Sequence, residues 1–110
     1  MDARDRSALE DFLDMLAAER GAAKNTLDAY RRDLEAFGAA VAASGATFAS
    51  LKKRDIERLL IQGAADLAPA TRARKLSAIR QLFKFLVTEE LIDDDPTEGL
   101  TGPKKERPLP

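Results

Sequence analysis

Hydrophobic positions recur along this chain at helical spacing in four separate runs. In the first, SALEDFLDMLAAERG, Leu9, Phe12, Leu13 and Leu16 fall on one stripe, as in an amphipathic helix. Ser7 and Glu10 stand at capping-box spacing and predict a start at Ser7, and Gly21 predicts the stop. In the second run, KNTLDAYRRDLEAFGAAVAASG, the residues Leu27, Tyr30, Leu34, Phe37 and Val41 repeat at steps of 3, 4, 3 and 4. Asn25 or Thr26 can cap this helix, Gly38 weakens it by about 1 kcal/mol relative to alanine, and Gly45 ends it. The third run, LKKRDIERLLIQGAAD, carries a short apolar face of Ile56, Leu59 and Leu60. It predicts about three turns, weakened at Gly63.

The fourth run opens near Pro69, which suits a first helical turn. Leu76, Ile79, Leu82, Phe83, Leu86 and Val87 form its apolar face, and Arg74, Ser77, Gln81 and Lys84 fall opposite. Lys75 and Arg80 lie at the margins of the stripe. Arg72 is on the apolar side but in the first turn, where a helix end stays wet. Phe85 falls on the polar side, exposed or meeting a partner surface. After Ile92 the periodicity stops, and DDDPTEGLTGPKKERPLP holds four of the five prolines. Such a stretch reads as a linker. With no strand pattern anywhere, the expectation is an all-α, four-helix bundle-like domain over residues 1–92 and an irregular linker over 93–110.

Composition narrows the chemistry. The 110 residues include no cysteine and no histidine. A disulfide framework, a thiolate metal site and the commonest general base are therefore excluded. The run Asp93, Asp94, Asp95 lacks the alternating ligand spacing of a calcium loop. No glycine-rich phosphate loop or Ser/His/Asp set is present. Tyr30 is the single tyrosine and sits on an apolar stripe, so a core role is favoured over a nucleophilic one. These features predict no catalytic residue, no metal and no cofactor. No apolar run approaches the roughly 18–20 residues of a membrane span, and the charged N-terminus has no signal-peptide character. A cytoplasmic protein without a membrane partner is expected.

Net charge is −1, but its distribution is uneven. Residues 68–88 hold five bases (Arg72, Arg74, Lys75, Arg80, Lys84) and no acid, whereas residues 89–98 hold six acids and no base. Such polarity can steer an anionic partner despite a near-zero total. A basic helix face can also be simply solvated. The lack of interleaved acid argues against that, because a merely solvated helix often mixes signs for i,i+4 pairing. The start of the second helix adds Lys24 with two small hydrogen-bonding residues, Asn25 and Thr26, a composition that suits a phosphate oxygen at a helix N-terminus. Ordinary N-capping explains Asn25 and Thr26 equally well. The residues alone thus describe a helical binding module. A small helical protein-interaction adaptor that binds no DNA is the alternative, supported by the acidic balance, the alanine-rich stripes and Phe85.

Three stretches resemble the N-terminal core-binding domain of tyrosine recombinases, and of the Xer branch in particular: FLDMLAAERGAAKNTLDAYRRDLEAF, APATRARKLSAIRQLFKFLVTEELIDDDPTEGL and PKKERPLP. The resemblance runs from about Leu9 to Pro110. It implies a SAM-like helical fold that covers one face of duplex DNA, while a separate catalytic domain with a tyrosine nucleophile covers the other. It implies assembly of four protomers on a recombination site, DNA strand exchange through a Holliday junction and, in Xer systems, resolution of chromosome dimers. The family's catalytic domain would begin after RPLP, so the chain alone is expected to be a monomer that binds DNA without cleaving it. The resemblance places DNA contacts on Lys24, Asn25, Thr26 and Arg31 of the second helix. On the fourth helix it places them on Thr71, Arg72, Arg74 and Lys75, with Arg80 further along.

Overall fold

The computed structural model describes residues 1–19, 21, 23–64 and 67–100, and the backbone alone for residues 63–64. Among them are four helices: α1 (Ala3–Glu19), α2 (Lys24–Ala43), α3 (Lys53–Ala64) and α4 (Pro69–Thr88), with a short 3-10 turn at Phe48–Ser50. The chain is all-α, as its periodicity predicts, and the described residues contain no strand. The stretch PKKERPLP and the rest of the expected linker after Leu100 lie outside the described residues.

The helix ends show where local chemistry decides. α1 begins a full turn before the predicted Ser7, because the Asp2 carboxylate accepts a hydrogen bond from the Asp5 N–H at 2.8 Å. Aspartate is a strong N-cap, and this earlier start lets Asp5 turn inward to accept from the Phe48 N–H at 3.0 Å. The start of α3 is held by the Asp55 carboxylate, which accepts from the Lys52 N–H at 2.9 Å. α2 ends in a Schellman motif: Ala46 N–H reaches the Val41 carbonyl at 3.1 Å, Gly45 N–H reaches that of Ala42 at 3.0 Å, and Gly45 takes φ +80°. α4 ends the same way, with Leu91 N–H on the Leu86 carbonyl at 2.9 Å and Glu90 N–H on that of Val87 at 3.0 Å. Here the left-handed position is filled by Glu90, at φ 59°.

One core joins all four helices. Leu9, Phe12, Leu13 and Leu16 of α1, Leu34, Phe37 and Val41 of α2, Ile56 of α3 and Leu76, Ile79, Leu82, Phe83 and Leu86 of α4 are all buried. At its centre Phe37, Phe48 and Phe83 form a triangle of rings with centroids 6.0–6.1 Å apart, one stacked pair and two edge-on. Phe85, expected exposed or on a partner surface, is half-buried, its ring 5.6 Å from that of Phe12. α4 packs against α1 as well as α2, which covers this side of the helix. The irregular segment after α4 also returns to the core, burying Thr97 and Leu100.

α2 and α4 cross. Tyr30 meets Gln81, Asp33 meets Arg74 and Lys75, and Phe37 meets Phe83. Advancing along α2 thus moves first backward and then forward along α4, an order that neither a parallel nor an antiparallel register produces.

Candidate nucleic-acid interface

Two helices begin differently from the others. α1 and α3 have side-chain hydrogen bonds at their starts and an acid in the first turn, Asp5 and Asp55. The N-caps of α2 and α4 are Ala23 and Ala68, with no side-chain cap bond and no first-turn acid. Asn25 and Thr26 therefore do not cap α2. They lie one and two residues inside it, exposed beside Lys24. The N–H groups of Lys24, Asn25 and Thr26 on α2, and of Ala70 and Thr71 on α4 where Pro69 carries none, precede the first helical bonds from Leu27 and Arg72 and lie at the positive end of the helix dipole. On α4 the corresponding side chains are Thr71 and Arg72, both half-buried. The Nε of Arg72 is buried and has no hydrogen-bond partner among the described residues.

The remaining candidates are committed to other groups. Arg31 grips Glu10 of α1 through two bonds, 2.7 and 3.0 Å. Arg6 and Glu35 join this network at 2.7 Å. The hydrogen bond from Arg31 lowers the Glu10 pKa and raises that of Arg31. All four side chains remain substantially exposed. Arg31 and Asp33 are two residues, or about 200°, apart around α2. Arg31 thus faces α1, while Asp33 faces α4.

Asp33 is the group sequence reasoning missed. Its side chain is 3% exposed. Oδ2 accepts from Arg74 Nε at 2.8 Å, and Oδ1 accepts from Arg74 Nη2 at 3.0 Å and from Lys75 Nζ at 3.1 Å. Burial disfavours its charge, but the hydrogen bonds and charges of Arg74 and Lys75 outweigh burial and hold the carboxyl below the ordinary range. The bond to Asp33 raises Arg74 in turn. The signal was available: Asp33 lies three residues after Tyr30 and four before Phe37, at the edge of an apolar stripe, where an acid requires a partner. Arg80, further along α4, donates to the Leu100 carbonyl and so fastens the segment after α4.

The structure therefore gathers Arg74 and Lys75 at the α2–α4 crossing, places Lys24, Asn25 and Thr26 on the first turn of α2 and Thr71 and Arg72 on that of α4, and turns Arg31 toward α1. Arg32 and Lys84 are exposed and lie in no ion pair among the described residues.

Residues 9–90 match the family described as phage integrase, N-terminal SAM-like domain. The chain is 51% identical over 104 residues to tyrosine recombinase XerD of Brucella suis biovar 1, covering 94% of this chain and 34% of that protein. It is 54% identical over 110 residues to tyrosine recombinase XerC of Erythrobacter litoralis, covering 98% and 34%, and 43% identical over 100 residues to tyrosine recombinase XerD of Caulobacter vibrioides, covering 90% and 33%. The chain thus spans about a third of the length of the curated relatives it matches.

Proposed function

This chain belongs to the phage integrase N-terminal SAM-like domain family, and we propose that it is the arm with which a Xer-like site-specific recombinase grips one face of duplex DNA. The observation that carries the reading is the pair of uncapped, acid-free N-termini on α2 and α4. Phosphate oxygens are the natural acceptors for such N–H groups. Lys24, Asn25 and Thr26 on one helix and Thr71 and Arg72 on the other supply the adjoining side-chain donors. Arg74 and Lys75 carry net positive charge to the crossing even after Asp33 is satisfied. Arg31 contributes by exchanging its exposed partner Glu10 for phosphate, a small loss because exposed ion pairs contribute about 0–1 kcal/mol. Arg80 acts indirectly, by fastening the segment after α4.

In this reading the DNA-binding domain, expected to end at residue 92, extends to the buried Leu100, and the residues after it connect to a part of the recombinase that carries strand-exchange chemistry. Its partners are a double-stranded recombination site and further recombinase protomers on that site. The chain alone binds weakly, because it supplies one side of a two-sided grip, and it does not cleave.

Fluorescence anisotropy with a labelled duplex carrying a Xer-type half-site tests this, with a scrambled duplex as control. Neutralising about three phosphates predicts log K falling with log salt at a slope of about −2.7. Lys24→Ala and Arg72→Ala should each make the slope shallower by about 0.9. Absence of binding to either duplex at low salt, with the fold intact by circular dichroism, would refute the proposal.

A further inference from the structure

We propose that Asp33 is a positioning residue that aims the outer edge of Arg74 at a guanine in the major groove. This rests on the DNA-binding reading above and adds a base-reading group to it. A guanidinium is a rigid planar fork with five N–H donors. Asp33 engages Nε and Nη2 of Arg74 together, at 2.8 and 3.0 Å. Two bonds along one edge fix both the plane and the direction of the group. Of the three donors left over, one on each Nη lies along the adjacent outer edge, between the two Nη atoms. The Arg74 side chain is 41% exposed against 3% for Asp33, so the pair meets water on the arginine side. Two parallel N–H groups match the O6 and N7 acceptors of guanine, a contact worth a substantial preference over other bases.

Three further features fit. Arg74 lies five residues beyond Pro69, about 7–8 Å along α4 from its start, close to the end that the phosphate-binding reading presents to DNA. Lys75 Nζ adds a second cation to the same carboxylate, at 3.1 Å, so the cluster stays net positive and does not repel the duplex. An arginine already held in one orientation also gives up less rotamer freedom on binding than a free one. The same edge could face a phosphate, and the test separates the two targets.

The wild-type chain is used at low salt to enrich duplexes from a pool with a randomised stretch. The enriched duplexes are then titrated by anisotropy against wild type, Arg74→Lys and Asp33→Asn. Circular dichroism confirms that each is folded. Arg74→Lys keeps the charge and the ion pair but lacks the fork, so it carries the test if Asp33→Asn melts below the assay temperature. The expected result is a guanine in the enriched sequences whose replacement by 7-deazaguanine, which lacks the N7 acceptor, weakens wild-type binding about fivefold. Both variants should lose most of that penalty while still binding duplex. A 7-deazaguanine penalty equal in all three proteins, or enriched duplexes without a guanine preference, overturns the inference while leaving the DNA-binding reading intact; the second result points to phosphate as the target of Arg74. Failure of wild type to bind any duplex overturns both.

Discussion

Replacing Arg74 by alanine isolates the value of the α2–α4 clamp. The substitution removes two of the three donors that satisfy the Asp33 carboxylate and leaves Lys75 Nζ at 3.1 Å as its sole remaining partner. Breaking a fully buried ion pair costs about 3–5 kcal/mol. Arg74 and Lys75 are 41% and 29% exposed, so water reaches the vacated space and Lys75 adjusts, which reduces the loss to about 2 kcal/mol. For a domain of this size each kcal/mol moves Tm by about 4–8 °C. Arg74→Ala should therefore melt about 10 °C below wild type at pH 7, followed by circular dichroism. The deficit depends on pH with a definite sign. Asp33 is held below its ordinary value of 3.8 in the folded chain, so its stabilising contribution is complete above that value and is lost as pH falls through the depressed one. The gap between wild type and variant should narrow in that acid range. In an Asp33→Asn background the same substitution should cost less than about 0.5 kcal/mol, because the charge it strands is gone. A single variant melting within about 2 °C of wild type, or a double variant with fully additive losses, would refute the argument.

Other substitutions probe separate features. Glu90→Gly should stabilise by up to about 1 kcal/mol, since Glu90 holds φ 59° in a Schellman position and glycine adopts it without steric cost; urea midpoints check this. Arg31→Ala should change stability by less than about 1 kcal/mol despite its two short bonds to Glu10, because the pair is exposed; thermal melts check this. Asp5→Asn should gain on wild type as pH rises from 4 to 7. Burial raises the Asp5 pKa, against the Phe48 N–H bond that lowers it. Its carboxyl therefore favours the fold below the ordinary carboxylate value, and that contribution is lost as pH rises through the raised one. Paired urea titrations across that range should show the difference shifting in favour of the variant, and a constant offset would refute it.

Periodicity made the helices legible. The stripes from Leu27 to Val41 and from Leu76 to Leu86 are the ones the core uses, and Pro69 and Gly45 mark real helix ends. The errors came where two residues compete for one role. Ser7 has capping-box spacing, but Asp2 reaches the same helix earlier and binds. Asn25 and Thr26 are good caps, but the helix begins before them at Lys24, so their side chains are left free. Phe85 was misassigned because a single helical wheel assumes one buried side, whereas α4 packs against both α1 and α2. The 3-10 turn at Phe48 has no periodic signature at all, yet it supplies one ring of the central triangle and the N–H that satisfies Asp5.

The distribution of charge has the larger consequence for function. In sequence, residues 68–88 offer five equivalent cations. In the fold they differ: Arg72 is half-buried with its Nε unpartnered among the described residues, Arg74 and Lys75 hold Asp33, Arg80 holds the Leu100 carbonyl, and Lys84 is in no ion pair among the described residues. A count of basic residues would therefore overstate how many phosphates the proposed interface neutralises. The two kinds of cation also fail differently. Under the proposed function, losing Lys24, which lies in no ion pair among the described residues, should lower affinity and salt slope together and leave the melting temperature unchanged. Losing Arg74 lowers the melting temperature, and affinity falls with it even if Arg74 never touches DNA. A mutational scan that reads affinity alone would rank the two alike. Only slope and stability measured on the same variants separate a residue that would bind the duplex from one that holds α2 and α4 at the angle the proposed binding requires.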